Sequence, residues 1–167
     1  MPVIKYLLFY TFESAITPTM KSKSSEKKQT LKLKIDNELH YRLIGISCHE
    51  NDYRLVWAIN KQMKMQFVRI GNLIIHSLKM KLDLEFSRYS YQDEDRYLTY
   101  HLISNRCPDG FLFPEIKNFD FLMQIIGDIT DIETQEFSRK IKKVEVISAS
   151  FVLQPVKLKG IGQILQE

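Results

Sequence analysis

Residues 82–86, LDLEF, alternate apolar and charged side chains, and residues 97–105, YLTYHLISN, resume a strand-like run after the polar segment QDEDR at 92–96. Two such segments joined by a short polar turn pair antiparallel, because a parallel return needs a crossover of a dozen or more residues. One hairpin in the middle of the chain therefore commits it to an antiparallel sheet. The remaining segments then either extend that sheet or cover it.

Several extend it. LKLKID (31–36) alternates apolar and charged residues as a strand with one wet face, and Asp36-Asn37 favours a turn before YRLIGISC (41–48), a second strand in which Gly45 and the β-branched isoleucines argue against helix. RCPDG (106–110) supplies a turn. Strand character resumes at FLF (111–113) and at 119–126, where Phe119, Phe121, Met123 and Ile125 are expected to share one face and Asp120 and Gln124 the opposite, wet face. VISASFVLQ (146–154) closes the series, and Pro155 limits its extension. Residues 66–81 are ambiguous, with a short strand at Gln66–Ile70 and an apolar segment around Leu73–Ile75.

Two segments read as covering helices. Asp52 is placed to cap a helix running to Met65, with Leu55, Val56, Ile59 and Met63 on one face. Thr130 and Glu133 form a capping box opening a helix to Lys143, with Phe137, Ile141 and Val144 inward. The expected fold is α+β, a two-layer sandwich of a mainly antiparallel sheet with two principal helices on one face. A chain of 167 residues fits one such domain, expected over 31–155 with 156–167 a peripheral tail.

Charge is unevenly placed. The formal total is +4, yet Lys5, Lys21, Lys23, Lys27 and Lys28 against Glu13 and Glu26 give residues 1–30 a local +3, leaving a nearly neutral domain. The Lys/Ser-rich tract TMKSKSSEKKQT (19–30) has no apolar periodicity and is expected to be disordered, making 1–30 a basic leader. Met20 is an alternative start, which would leave 1–19 a mis-annotated beginning; an amino terminus at Met1 or Pro2 would exclude it. KYLLFYTFE (5–13) is too short to span a bilayer and lacks the flanks of a signal peptide, so the expected location is cytoplasmic.

The segment GFLFPEIKNFDFLMQI (110–125) interrupts its aromatic and aliphatic run with Pro114, Glu115 and Asp120. The spacing Pro114-Glu115, three residues, then Phe119-Asp120-Phe121 resembles the motif for which the bacterial IPExxxVDY family is named. LIGISCHENDYRLVWAIN (43–60) and LTYHLISN (98–105) also resemble blocks of that family, and the resemblance spans 31–155. Phe113, Phe119 and Phe121 stand where the motif has Ile, Val and Tyr; the last change removes a phenol and any role it would have. The resemblance implies kinship without mechanism, since it brings no activity, cofactor or partner with it.

On chemistry alone, Pro114 ends a strand, and Asp120 anchors the following turn or pairs with a cation. A catalytic pair of Glu115 and Asp120 would need an environment that drives the two pKa values apart. Cys48 and His49 are adjacent on a strand and point to opposite faces, and two distant cysteines do not make a zinc site, so buried free thiols are expected and no metal or cofactor is called for. Asp52, Tyr53 and Arg54 form a candidate recognition patch, while Asn60 either bonds a loop or marks a pocket. Tyr89, Tyr91, Tyr97 and Tyr100 around the hairpin could stack bases, but Asp93, Glu94 and Asp95 would repel phosphate, so cross-strand packing is the expected role.

Three functional readings follow. The first is a non-enzymatic module that binds a protein partner or serves regulation. The second is weak RNA binding through the Lys-rich leader and the tyrosine-bearing hairpin. The third is an enzyme using Glu115 or Asp120. A pocket joining either carboxylate to His101 or Asn60 would favour the third.

Overall fold

The computed structural model describes residues 41–77, 81–155, 158 and 161–164. The expected strand at 31–36, the basic leader and most of the tail beyond 156 lie outside the described residues. In chain order the elements are β1 (Tyr41–Ser47), α1 (Asp52–Met63), β2 (Val68–Ser77), β3 (Leu82–Asp93), β4 (Leu98–Ser104), β5 (Arg106–Cys107), β6 (Gly110–Phe111), a 3-10 turn at Pro114–Ile116, β7 (Phe121–Ile126), α2 (Asp131–Ile141) and β8 (Ala149–Leu153). Six strands pair in the order β2-β3-β4-β7-β1-β8, every ladder antiparallel. The expected α+β fold is the one observed.

Strand alternation sorts the side chains into two cores. On one face Ile44, Ile46, Tyr100, Leu102, Phe121, Met123 and Ile125 are buried with Leu55, Val56, Ala58 and Ile59 of α1 and Ile141 of α2, so both helices cover this side. On the other, Leu43, Leu84, Phe86, Ile103 and Leu122 are buried with Leu112, Phe113, Leu158 and Ile164, so irregular chain supplies the cover. That second cover corrects the expectation of a wet face: Asp120 and Gln124 are both buried. Phe119 departs too. A Cβ at Gly45 would lie 2.7 Å from its ring, and Gly45 pairs with Leu122, which places Phe119 on the face opposite Phe121.

The tyrosines divide. Phe67, Tyr91, Tyr100 and Phe137 form a row with centroids 5.8, 5.8 and 5.2 Å apart, and Tyr89 is buried beside it, whereas Tyr97 is exposed in the turn. Rings at this spacing add stabilisation beyond their area. The hairpin tyrosines thus tie the sheet to α2.

Among the described residues of the ambiguous stretch 66–81 there is one strand, β2, paired with β3 from Val68 to Ser77. A bulge between Arg69 and Gly71, where Gly71 has φ +106°, shifts the phase midway and so scrambles the alternation that a regular strand would show. Helix α1 is capped by Asn51, without a side-chain bond, and not by Asp52; it ends at Met63 with Lys64 left-handed at φ 56°. Asp52 occupies the first turn, where its charge complements the helix dipole.

At α2 the capping box is complete. The Thr130 hydroxyl accepts from Glu133 N–H at 3.2 Å, and the Glu133 carboxylate accepts from Thr130 N–H at 3.0 Å and from its hydroxyl at 2.7 Å. The Thr130 N–H, then its hydroxyl, hold the Glu133 carboxyl below its usual value. A lowered folded value means this stabilisation is present above the ordinary carboxylate range and is lost as pH falls through the folded value. Thr130→Ala is expected to lower stability by about 1 kcal/mol at neutral pH. The Glu133→Ala deficit should narrow on acidification, and thermal midpoints of the variants and wild type across a pH series check both.

Candidate functional site

The motif segment is organised by a residue the sequence reading did not single out. Asn105, at the end of β4, is fully buried. Its side-chain amide donates to the carbonyls of Ile116 at 3.3 Å and Phe119 at 2.9 Å, and its side-chain oxygen accepts from Phe113 N–H at 2.8 Å. Its backbone N–H donates to Asp120 O at 2.8 Å, and its backbone oxygen accepts from Leu112 N–H at 2.9 Å. One asparagine therefore ties down the whole excursion between β4 and β7. Pro114 and Glu115 lie exposed on its outer side, in the 3-10 turn, while Phe113 next to them is fully buried. Proline suits that first position because no partner is needed for its missing N–H and its φ is preset.

Asp120 closes the excursion. Its Oδ2 accepts from Cys48 N–H at 2.9 Å and its Oδ1 meets Arg106 Nη2 at 3.0 Å, so both oxygens are engaged by the framework. Its own N–H donates to Ile46 O at 2.9 Å. Asp120 thus joins the end of β1 to the start of β7 and the β4–β5 corner.

Around this junction lies an open cleft of about 780 Å³. The loop after β1 contributes Cys48, His49 and Glu50, the start of α1 Asp52, the β2–β3 ladder Arg69, Asn72, Asp83 and Glu85, and the β4–β5 corner Arg106, Cys107 and Asp109. Six carboxylates, including Asp120, face two guanidinium groups across it. Both arginines are already engaged: Arg106 by Asp120, and Arg69 by Asn72 at 2.8 Å with Asp52 at 3.9 Å. Arg69 also lies over the ring of buried Tyr89, 5.9 Å from its centre, and the Tyr89 phenol is raised above the ordinary value by burial first and by the Asp52 charge second. The cleft is polar, acidic and internally cross-linked.

The predicted residues are only partly brought together. Asp52 and Asp120 line the cleft, whereas Glu115, Asn60 and His101 do not. Tyr53 points outward with 64% of its surface exposed, and Arg54 pairs with Glu50 at 3.4 Å. Asn60 bonds a loop: its amide donates to Phe67 O at 3.2 Å and its oxygen accepts from Phe67 N–H at 2.9 Å, fixing the passage from α1 to β2. Trp57, also missed by the sequence reading, stands one turn after Tyr53, 56% exposed, with the Lys61 ammonium 4.6 Å from its ring centre. Its signal was available in sequence, since the spacing that turns Val56 and Ile59 inward turns Tyr53 and Trp57 outward.

Both cysteines are free; Cys48 is buried, its thiol pushed up chiefly by that burial, and Cys107 is half-buried, which corrects the expectation that both would be buried. His49 is exposed while Cys48 is buried; β1 ends at Ser47, so the two stand in the loop after it and their opposite burial comes from the loop and not from strand alternation. Among the described residues no group of three His, Cys, Asp or Glu side chains could hold a metal ion, and no helix is long and apolar enough to cross a membrane. Compared with known proteins, the chain matches no family model and no curated protein.

Proposed function

We propose that this chain is a non-enzymatic protein-binding module, related to the bacterial IPExxxVDY family and working in the cytoplasm, whose recognition surface is the start of α1 together with the acidic cleft beside it. The observation that carries the reading is the pairing of two outward aromatic rings one helical turn apart, Tyr53 and Trp57, with a cleft where carboxylates outnumber guanidinium groups. Aromatic side chains are favoured as interface anchors, because they contribute large contact area with few rotors to order. The acidic wall selects the partner's charge, so the occupant is an extended segment rich in Lys or Arg. Both oxygens of Asp120 are held by structural donors, which supports anchoring over catalysis.

RNA binding through the leader is the alternative. The burial of Tyr89 and Tyr100, and the packing of half-buried Tyr91 between Phe67 and Tyr100, weigh against a base-stacking platform on the hairpin.

Trp57 is the single tryptophan of the chain, so its emission reports on this surface directly. A lysine-rich peptide titrated into the protein is expected to shift that emission, with Tyr53→Ala weakening binding about tenfold, equivalent to ~1.4 kcal/mol. Raising salt should weaken it further. Emission unaffected by the peptide up to about 1 mM would sink the proposal. Tighter, salt-sensitive retention on single-stranded RNA that vanishes on removing residues 1–30 would favour the alternative.

A further inference from the structure

The two edges of the sheet are treated differently. β2 is the longer, and it is guarded: it carries a bulge at Arg69/Gly71 and bears Arg69, Asn72 and His76, with His76 paired to Asp83 at 2.7 Å and Asn72 donating to Glu85 at 2.8 Å. Bulges and charges on an edge are the devices that stop a sheet from recruiting further strands. β8, at the opposite edge, has neither. Its sequence is ASFVL; it contains no charge, proline or glycine, its register with β1 runs unbroken from Ala149 to Leu153, and among the described residues no strand lies beyond it. Phe151 and Val152 are exposed by 58% and 40%, and the Phe151 ring leans on Phe119 at 6.1 Å. Every second residue of such a strand aims its N–H and C=O away from the sheet.

We infer that β8 is a homodimer edge, at which a second copy of this chain adds its own β8 antiparallel across a two-fold axis through Phe151. The strand is complementary to itself. Centred on Phe151, the pairing sets Ala149 against Leu153 of the second copy, small against large, and Ser150 against Val152, with the two Phe151 rings opposed at the axis. With no charge in the segment, the two-fold brings no like charges together, and an uncharged strand offers nothing to select the basic segment proposed for the cleft. Isologous two-fold contacts are the commonest route to a homo-oligomer. Pro155, two residues past the strand, keeps the pairing short. A five-residue ladder with its flanking rings is a small interface, so the dimer is of the weak, concentration-dependent kind.

Sedimentation of the full chain over a concentration series tests this. The apparent mass is expected to rise from 19.8 kDa toward twice that value. Val152→Lys and Phe151→Lys, both at exposed positions, should weaken association at least about tenfold with little change in thermal midpoint, whereas Ile74→Lys on the guarded edge should leave it unchanged. The axis supplies a second readout. Phe151→Cys places a thiol opposite its own copy and should cross-link under mild oxidation beyond the wild-type background, while Ala149→Cys, which faces Leu153, should not. A constant monomer mass up to about 0.5 mM would overturn the inference. So would dimers that survive both lysine changes in β8, or cross-linking at Ala149→Cys in preference to Phe151→Cys.

Discussion

Asn105→Ala is expected to lower the stability of this protein by about 2–4 kcal/mol, since each unpaired polar group left in an interior costs roughly 1–3. The substitution removes the donor from the Ile116 and Phe119 carbonyls and the acceptor from Phe113 N–H, in a place where the side chain has no exposed surface. The Ile116 carbonyl keeps Phe119 N–H as a donor at 2.9 Å, and half-buried Phe119 recovers part of the loss from water, which keeps the figure below three full penalties. Phe113 does not, because it is fully buried. Urea unfolding should show the midpoint falling with little change in slope, as the surface exposed on unfolding is the same. Hydrogen exchange adds position: the Phe113 and Leu112 amides, both bonded to Asn105, should lose protection more than those of α2. Asn105→Asp separates geometry from charge. It keeps an acceptor for Phe113 but sets a carboxylate against two carbonyl oxygens, so it should cost at least as much as alanine. A midpoint within about 0.5 kcal/mol of wild type for Asn105→Ala would show that the excursion is held by Phe113 and Leu112 packing alone.

Why this residue escaped a reading of the sequence, while the hairpin did not, follows from where the partners lie. The β3–β4 hairpin and the Thr130–Glu133 box are local: each feature is decided by residues within one turn or ladder of one another, so period and spacing reveal them. Asn105 bonds residues eight, eleven and fourteen positions ahead, and a lone asparagine at a strand end reads like any turn residue. The misread faces have a similar origin. Alternation predicts the phase of Phe121, Met123 and Ile125 correctly, but β7 starts at Phe121, and the turn before it swings Phe119 over Gly45. Likewise β2 hides behind a one-residue bulge. Asp120 and Gln124 look wet because alternation sees only the sheet; the face that Gln124 shares with Leu122 is covered by 112–113 and by Leu158 and Ile164, and Asp120 is held by Cys48 and Arg106, neither of which any period encodes. The cleft is the extreme case. Its walls come from the β1–α1 loop, the β2–β3 ladder and the β4–β5 corner, so the sequence could name Asp52 and Asp120 without bringing them together.

Asp120 is where anchoring and recognition can be told apart, because two substitutions remove different parts of its role. Asp120→Ala deletes both the acceptor for Cys48 N–H and the partner of Arg106. The first loss leaves a buried N–H unpaired and dominates; the second is smaller, since Arg106 keeps 56% of its side chain in solvent and such pairs contribute about 1 kcal/mol or less. Together they are expected to cost about 2–3 kcal/mol. Asp120→Asn keeps an oxygen for Cys48 and removes only the charge, so its deficit should be about 1 kcal/mol and should shrink as salt screens the wild-type pair. A chemical denaturation series of wild type and both variants at low and high salt measures this ordering. If alanine and asparagine cost the same, the charge carries the anchor and the Cys48 bond is incidental; if neither costs more than about 0.5 kcal/mol, the carboxylate is not an anchor. The peptide titration supplies the complementary reading. Asparagine should weaken a lysine-rich peptide less than Tyr53→Ala does, because the carboxylate it removes is already occupied by Arg106, whereas the Tyr53 ring faces solvent and is free to meet a partner.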